Sequence, residues 1–253
     1  MVASVENVGR MTPYGAEHFA ALAVTVVAAI VLVAWARKVR GTRAESRGLT
    51  VAGWIMLAAT LTWMGWNFLP MNWNIEQSLP FHLSDALRII TSLALLTRSS
   101  WTIAISYYWG LTLNIQSVLT PDLTYFHAPL FEYIAYWFFH IAALIVPIMF
   151  VWGLEYRPTW RGYGVALAAT LGWAGIAGIA NALTGANYVY LARAPEVASA
   201  LDLLGPWPIY ILWELVLVAS VWALITWPWT VGRNAQKPVV GRIAAVRRES
   251  LHR

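Results

Sequence analysis

Seven stretches of about twenty mostly apolar residues recur along the 253-residue chain, and they constrain its fold more than any other feature. A helix of about that length crosses the hydrocarbon core of a bilayer. Only 11% of the residues are charged, which is too few for the surface of a soluble domain. The sequence therefore predicts an all-α polytopic membrane protein, a seven-transmembrane-helix bundle. The predicted spans are residues 16–36, 49–69, 80–97, 101–119, 129–152, 161–183 and 207–229.

The distribution of Lys and Arg predicts the orientation of this bundle. Cytoplasmic loops of membrane proteins are enriched in these residues. With the N-terminus outside and the C-terminus cytoplasmic, 14 of the 17 Lys and Arg lie in cytoplasmic segments; Arg10 and Arg193 lie outside, and Arg88 lies within a span. We expect three parts: an extracytoplasmic segment 1–15, a transmembrane domain 16–230 and a basic cytoplasmic tail 231–253.

The basic tail invites comparison with nucleic-acid-binding segments. Clusters of Lys and Arg beside a transmembrane helix more often serve orientation and contact with anionic lipids. We therefore expect membrane lipids as partners and no nucleic acid.

Polar residues within the spans concentrate in the halves that face outside. On the third span Ser84, Asp85 and Arg88 share a face, and Asp85 and Arg88 have the i, i+3 spacing of an ion pair. Ionisable residues inside a membrane usually face the bundle interior and mark a site. Scattered interhelical hydrogen bonds are the alternative, but polar stripes on four helices favour an outward-facing polar cavity. The other members of these stripes include Asn114, Glu132, Tyr136, His140, Tyr210 and Glu214, and Asn181 lies near the outer end of the sixth span. Glu132 and Glu214 are interpreted as either protonated or paired with Arg88.

Several classes of membrane protein are disfavoured. The absence of Cys excludes disulfides, cysteine-ligated zinc and a thiol nucleophile. Lys38 and Lys237 are the only lysines and both are cytoplasmic, so no retinal Schiff base can form inside the bundle. A transporter should carry polar groups toward both faces, which the spans lack. The His residues match no ligand spacing, so we expect no metal and no cofactor.

Small residues on the sixth predicted span form a second pattern. Gly164, Ala168, Gly172 and Gly175 recur every three to four residues, a spacing that permits close helix approach in membranes. We expect this stripe to pack within the bundle.

The segments "LPFHLSD", "LNIQSVLTPDL", "YWFFHIAALIVPIMF", "NYVYLARAP" and "LDLLGPWPIYILWELV" together resemble the bacterial YwaF-like integral membrane proteins, over about residues 15–230. That family is similar to a eukaryotic transmembrane acyltransferase that remodels ether phospholipids. It is more distantly similar to androgen-induced hydrolases of branched fatty-acid esters. The resemblance implies a bacterial cytoplasmic (inner) membrane protein that acts on lipid esters.

The resemblance also implies roles for individual residues. The family commonly has Cys then Asp after "HL", where this chain has Ser84, and His140 matches the helix-borne His of the family. A serine nucleophile needs a His base, usually oriented by a carboxylate, here Glu132 or Asp85. The expected substrate-binding residues are His82, Asp85, Arg88, Asn114, Asn181, Tyr210 and Glu214.

Helix geometry leaves this assignment open. At 1.5 Å per residue, Ser84 lies about 6 Å and His140 about 16 Å into their predicted helices, so contact between them requires one helix to tilt. His82 is an alternative base at the depth of Ser84. The alternative function is a non-catalytic membrane protein that binds a lipid or small molecule in the same cavity, or an accessory subunit of an envelope complex.

Overall fold

The computed structural model describes residues 8–194 and 203–231, and most of them are helical. Its α-helices are α1 Ala16–Val39, α2 Arg43–Asn67, α3 Leu83–Thr97, α4 Ser100–Tyr108, α5 Ile115–Leu119, α6 Pro129–Ile148, α7 Trp160–Thr184 and α8 Ile209–Thr230. A π-helical turn, Trp109–Leu113, joins α4 to α5, and a second, Met149–Gly153, extends α6. A 3₁₀ turn, Tyr188–Tyr190, follows α7.

Five of these helices are long and apolar enough to cross a membrane: α1, α2, α6 with its π-turn, α7 and α8, with 22 to 25 residues each. Their outer surfaces are apolar. On α1, for example, Val27 and Ile30 are 60% and 65% exposed. Apolar surface of this extent is favourable against lipid and unfavourable against water. The chain is an all-α integral membrane protein in its architecture.

The third and fourth predicted spans are shorter in the structure than the sequence indicated. The third predicted span begins at residue 80, whereas α3 begins at Leu83 and has 15 residues. The fourth is divided into α4, the π-turn and α5. The division coincides with a close crossing, because a Cβ on Gly110 would lie 2.2 Å from the carbonyl oxygen of Ala143 on α6. The central part of the divided segment and nearly all of α3 lie inside the bundle: residues 102–110 are all buried, and in α3 only Thr97 is exposed.

One end of the bundle is joined by arginine contacts between loops, and we call it the arginine-rich end. Arg37 in the last turn of α1 donates from Nε to the carbonyl oxygen of Trp152 (2.9 Å). Arg98 at the C-terminus of α3 donates to the carbonyl oxygen of Ser46 on α2 (2.8 Å). The α1–α2 loop, the α3–α4 turn and the end of α6 therefore meet at this end.

The opposite end, which we call the ladder end, holds a two-stranded antiparallel ladder that the all-α prediction omitted. Strand β1, Gly9–Arg10, pairs with β2, Thr124–Tyr125. Arg10 also forms an ion pair with Asp122 (2.7 Å). Short strands are weak sequence signals, and their pairing depends on tertiary contact. Residues 1–7 of the predicted N-terminal segment, and all of the predicted tail except Val231, lie outside the described residues.

The small-residue stripe on α7 does not pack against residues 8–194 or 203–231, so the prediction that it packs within the bundle was wrong for this part of the chain. A Cβ added at Gly164, Gly172 or Gly175 would meet nothing within 4 Å. The helix instead buries Gly162 and Ala166 against its neighbours. Helical periodicity identifies the residues that share a face but does not say which face meets another helix.

Candidate functional site

The N-terminus of α3 lies at the ladder end and is fixed by His82 and Asp85. The backbone N–H of His82 donates to Oδ2 of Asp85 (3.0 Å), which is the reciprocal half of a capping box. The ring nitrogen Nε2 of His82 lies 2.7 Å from the carbonyl oxygen of Glu76. His82 is therefore engaged with the loop before α3, and it starts the helix two residues before Ser84.

Asp85 and Arg88 form the ion pair that their spacing predicted, and the pair is buried, with side chains 11% and 10% exposed. Arg88 also donates from Nε to the carbonyl oxygen of Ser84 (3.2 Å). Its guanidinium carbon lies 4.9 Å from the ring centroid of Phe139 on α6, within the range of a cation–π contact. Arg88 thus joins α3 to α6 one residue before His140.

Ser84 is the second residue of α3 and is half-buried. Within residues 8–194 and 203–231 its hydroxyl makes no hydrogen bond. The first backbone N–H groups of a helix lack intrahelical acceptors and carry partial positive charge. The hydroxyl is therefore held where negative charge on a nearby atom is stabilised.

His140 is held by Asn114, which lies just after the π-turn between α4 and α5. The amide nitrogen of Asn114 donates to the backbone carbonyl oxygen of His140 (2.9 Å), and its Oδ1 lies 2.7 Å from Nδ1 of the ring. The ring of Tyr136 packs on His140 at 4.3 Å between centroids, and the Tyr136 hydroxyl donates to the carbonyl oxygen of Ser117 (2.8 Å). Asn114 from the α4–α5 segment and Tyr136 from α6 therefore fix the imidazole of His140.

This arrangement determines which ring nitrogen carries the proton. The amide nitrogen of Asn114 is already assigned by its bond to a carbonyl oxygen, so Oδ1 must face the ring. Because Oδ1 only accepts hydrogen bonds, Nδ1 of His140 must be the donor, and in the neutral ring Nε2 carries the lone pair. His140 is thereby set as a hydrogen-bond acceptor, or base, through Nε2.

Glu132 does not contact His140. Its carboxylate accepts hydrogen bonds from three successive backbone N–H groups before α6, those of Phe126 (2.8 Å), His127 (3.1 Å) and Ala128 (3.4 Å). These bonds fold the chain onto the start of α6. The structure therefore brings Asn114 to His140, where the sequence suggested Glu132 or Asp85, and Glu132 is not paired with Arg88.

Asn181 and Tyr210 both hold the loop after α7. Asn181 accepts from the backbone N–H of Tyr188 (2.7 Å) and donates to its carbonyl oxygen (3.1 Å). The Tyr210 hydroxyl donates to the carbonyl oxygens of Tyr190 and Arg193. Glu214, one turn further along α8, is half-buried and has no hydrogen-bond partner in the described part of the chain.

The loop held by these residues covers the start of α3. The ring of Tyr188 lies 5.2 Å from that of His82, edge to face. Burial, together with the carboxylates of Glu76 and Asp85, raises the pKa of Tyr188. The phenol therefore stays protonated and donates to the carbonyl oxygen of Ile75. Sequence reasoning missed this tyrosine, although its place in the quoted "NYVYLARAP" segment was a signal.

A comparison with protein families matches residues 13–226, which include every candidate site residue, to the TMEM164 family. The chain belongs to the TMEM164 family. An uncharacterized protein of Treponema pallidum (strain Nichols) is 28% identical over 226 residues, which cover 88% of this chain and 90% of that protein. No solved structure matches the chain significantly.

Two groups of side chains lie on packed elements of this TMEM164 family member: Asp85 and Arg88 on α3, and Asn114 with His140 of α6. The contact of Arg88 with Phe139 connects them. No group of three or more His, Asp or Glu suited to a metal ion occurs among the described residues. The chemistry available at this site is that of a hydroxyl, an imidazole, an amide and a buried ion pair.

Proposed function

We propose that this TMEM164 family member transfers or hydrolyses an acyl group of a membrane lipid, with Ser84 as the nucleophile and His140 as the general base. The observation that carries the proposal is the clamp of Asn114 on His140. Because Nδ1 donates to Asn114, the proton lies on Nδ1 and the lone pair of Nε2 is free to accept a proton. This is the tautomer that a general base requires. An Asn in place of the acidic orienter occurs in other nucleophile–His–Asn sites.

The proposed reaction has two steps. The Ser84 hydroxyl gives its proton to Nε2 of His140 while its oxygen attacks the ester carbonyl, and the alcohol then leaves with that proton. Water, or the hydroxyl of a second lipid, cleaves the serine ester by the reverse proton transfers. The positive end of α3 favours the negative charge that develops on the carbonyl oxygen.

A non-catalytic role is the second candidate. Within the described residues Ser84 and His140 share no hydrogen bond, and Glu132, which was expected to act in catalysis, holds the loop before α6. In that case the polar interior binds a lipid or small molecule, or serves as part of an envelope complex. The two functions differ in what they require of Ser84.

The deciding assay is transfer or release of labelled acyl chains from a mixed lipid pool by purified protein, beside a lipid-binding measurement. Catalysis predicts that Ser84→Ala and His140→Ala each abolish turnover and that the double variant loses little more, because the two residues act as one unit. Ser84→Cys should retain activity and become sensitive to alkylation. Full turnover by Ser84→Ala would show that this serine does not take part in the reaction. If Asn114→Ala folds normally but loses turnover, the result supports the role of Asn114 in orienting His140.

We also propose seven crossings, an external N-terminus and residence in the bacterial cytoplasmic membrane. Contacts at the two ends support the count, since α3 and the α4–α5 segment connect the ladder end with the arginine-rich end although most of α3 and residues 102–110 are protected from lipid. The positive-inside bias supports a cytoplasmic arginine-rich end. The Treponema relative supports a bacterial origin.

A further inference from the structure

A cavity of about 230 Å³ lies between α1 and α2 at the arginine-rich end. Its lining includes Leu32 and Trp35 on α1, Gly48 and Leu49 on α2, Leu95 on α3 and Val146 on α6. The cavity is distinct from the candidate site, because Leu95 is about 16 Å further along α3 than Ser84 at 1.5 Å per residue.

The cavity has a closed floor and an open mouth. Leu49, Leu95 and Val146 at the floor are buried, whereas Ala52 at the rim is exposed on the surface of α2. Gly48 lets α2 lie close to the Trp35 indole at the wall, because a Cβ there would lie 2.5 Å from that ring. The mouth therefore opens between two apolar, membrane-crossing helices.

An apolar chain is the occupant that this shape admits. All of the lining is apolar, and an apolar cavity of even about 150 Å³ stays dry and takes up a benzene-sized molecule. Leaving such a space empty destabilises a fold in proportion to its volume. Lipid acyl chains are the apolar molecules present at the surface of a membrane-spanning helix.

Charges near the mouth indicate the headgroup. Lys38 lies in the last turn of α1, Arg43 is the first residue of α2 and Arg47 lies one turn further along; all three are exposed. Within the part of the chain that the structure describes, none of them forms an ion pair with a carboxylate. The neighbouring acid, Glu45, accepts from the backbone N–H of Gly41 (2.6 Å). Clusters of this kind at the end of a membrane helix attract anionic lipid headgroups.

We propose that this cavity holds one acyl chain of an anionic phospholipid from the leaflet at the arginine-rich end. The headgroup lies against Lys38, Arg43 and Arg47, and the chain enters past Ala52. Residues 232–253 are themselves basic, so charge disfavours them as the occupant. The site is independent of the proposed reaction at Ser84.

The test is photolabelling of the full-length protein in nanodiscs with a phosphatidylglycerol that carries a diazirine on its acyl chain, followed by peptide mapping. We expect labels on the floor residues Leu49 and Leu95 in excess over the outward-facing Val26 and Val51. Phosphatidylcholine with the same chain should label the floor less. Arg43→Gln and Arg47→Gln should each lower floor labelling by phosphatidylglycerol about fivefold, the effect expected for one basic residue near an anionic headgroup.

A matched pair of variants tests the entry path. Ala52→Phe fills the mouth and should reduce floor labelling several-fold, with Ala52→Leu as a smaller change if the first variant folds poorly. Ala58→Phe, an exposed position on another face of α2, should leave labelling unchanged. Equal labelling of floor and outer surface, equal labelling by the two lipids, or no effect of filling the mouth overturns the proposal. Increased floor labelling after deletion of residues 232–253 would identify the tail as the occupant and also overturn it.

Discussion

The change Asp85→Asn removes the negative partner of a buried guanidinium while preserving side-chain shape. In the native protein Oδ1 of Asp85 accepts from Arg88, and Oδ2 accepts from the backbone N–H of His82. Asparagine offers one oxygen in place of two and no charge. We expect one of the two contacts to be lost and Arg88 to remain buried without compensation.

The magnitude follows from the surroundings of Arg88. Breaking a buried ion pair by removing one partner costs about 3–5 kcal/mol, and weakening the cap of α3 adds about 1 kcal/mol. The carbonyl oxygen of Ser84 and the ring of Phe139 remain in contact with the guanidinium, and the cation–π contact retains about 0.5–2 kcal/mol. We therefore expect a loss of about 3 kcal/mol, which corresponds to a decrease of roughly 6–12 °C in the unfolding midpoint for a chain of this size.

The assay is thermal unfolding of purified protein in a mild detergent, arranged as a double-mutant cycle. Arg88→Met in the Asp85→Asn background should recover about half or more of the lost stability, because it removes the uncompensated charge. Glu76→Gln is the matched control, since its ion pair with Arg193 is about half exposed and should contribute about 1 kcal/mol or less. Simple additivity of the two changes at Asp85 and Arg88, or a larger effect of Glu76→Gln, would refute the reasoning.

Two further predictions concern topology and packing. In intact cells, a Cys at Asp122 at the ladder end should react with an impermeant thiol reagent. A Cys at Ala44 at the arginine-rich end should react only after permeabilisation. Labelling of both positions without permeabilisation contradicts the proposed orientation. Gly110→Ala should lower the free energy of unfolding by about 1–3 kcal/mol, because its Cβ would overlap the Ala143 carbonyl oxygen. Gly164→Ala faces open space and should be neutral or stabilising by up to about 1 kcal/mol. Equal effects of the two changes in thermal unfolding would rule out the close crossing at Gly110.

The sequence predicted the parts of this fold that depend on composition and on spacing within one helix. Long apolar runs identified α1, α2, α6, α7 and α8, and i, i+3 spacing identified the pair of Asp85 with Arg88. The sequence did not predict which side chains contact each other across different helices and loops. Asn114 was expected to bind substrate, and the close approach of the π-turn to α6 at Gly110 brings its amide to His140. Glu132 lies on the same stripe as His140, yet the loop before α6 folds back and engages its carboxylate.

The short helix α3 is surrounded by longer membrane-crossing helices, and this difference in length explains how a polar site can lie within the thickness of a membrane. The 15 residues of α3 extend about 22 Å, less than the roughly 30 Å of a hydrocarbon core. A lipid-facing helix of that length would thin the bilayer or tilt its neighbours. Since only Thr97 of α3 is exposed, the surrounding lipid contacts the longer helices instead. The bundle can thus recess the start of α3 below the level of the outer helix ends without hydrophobic mismatch.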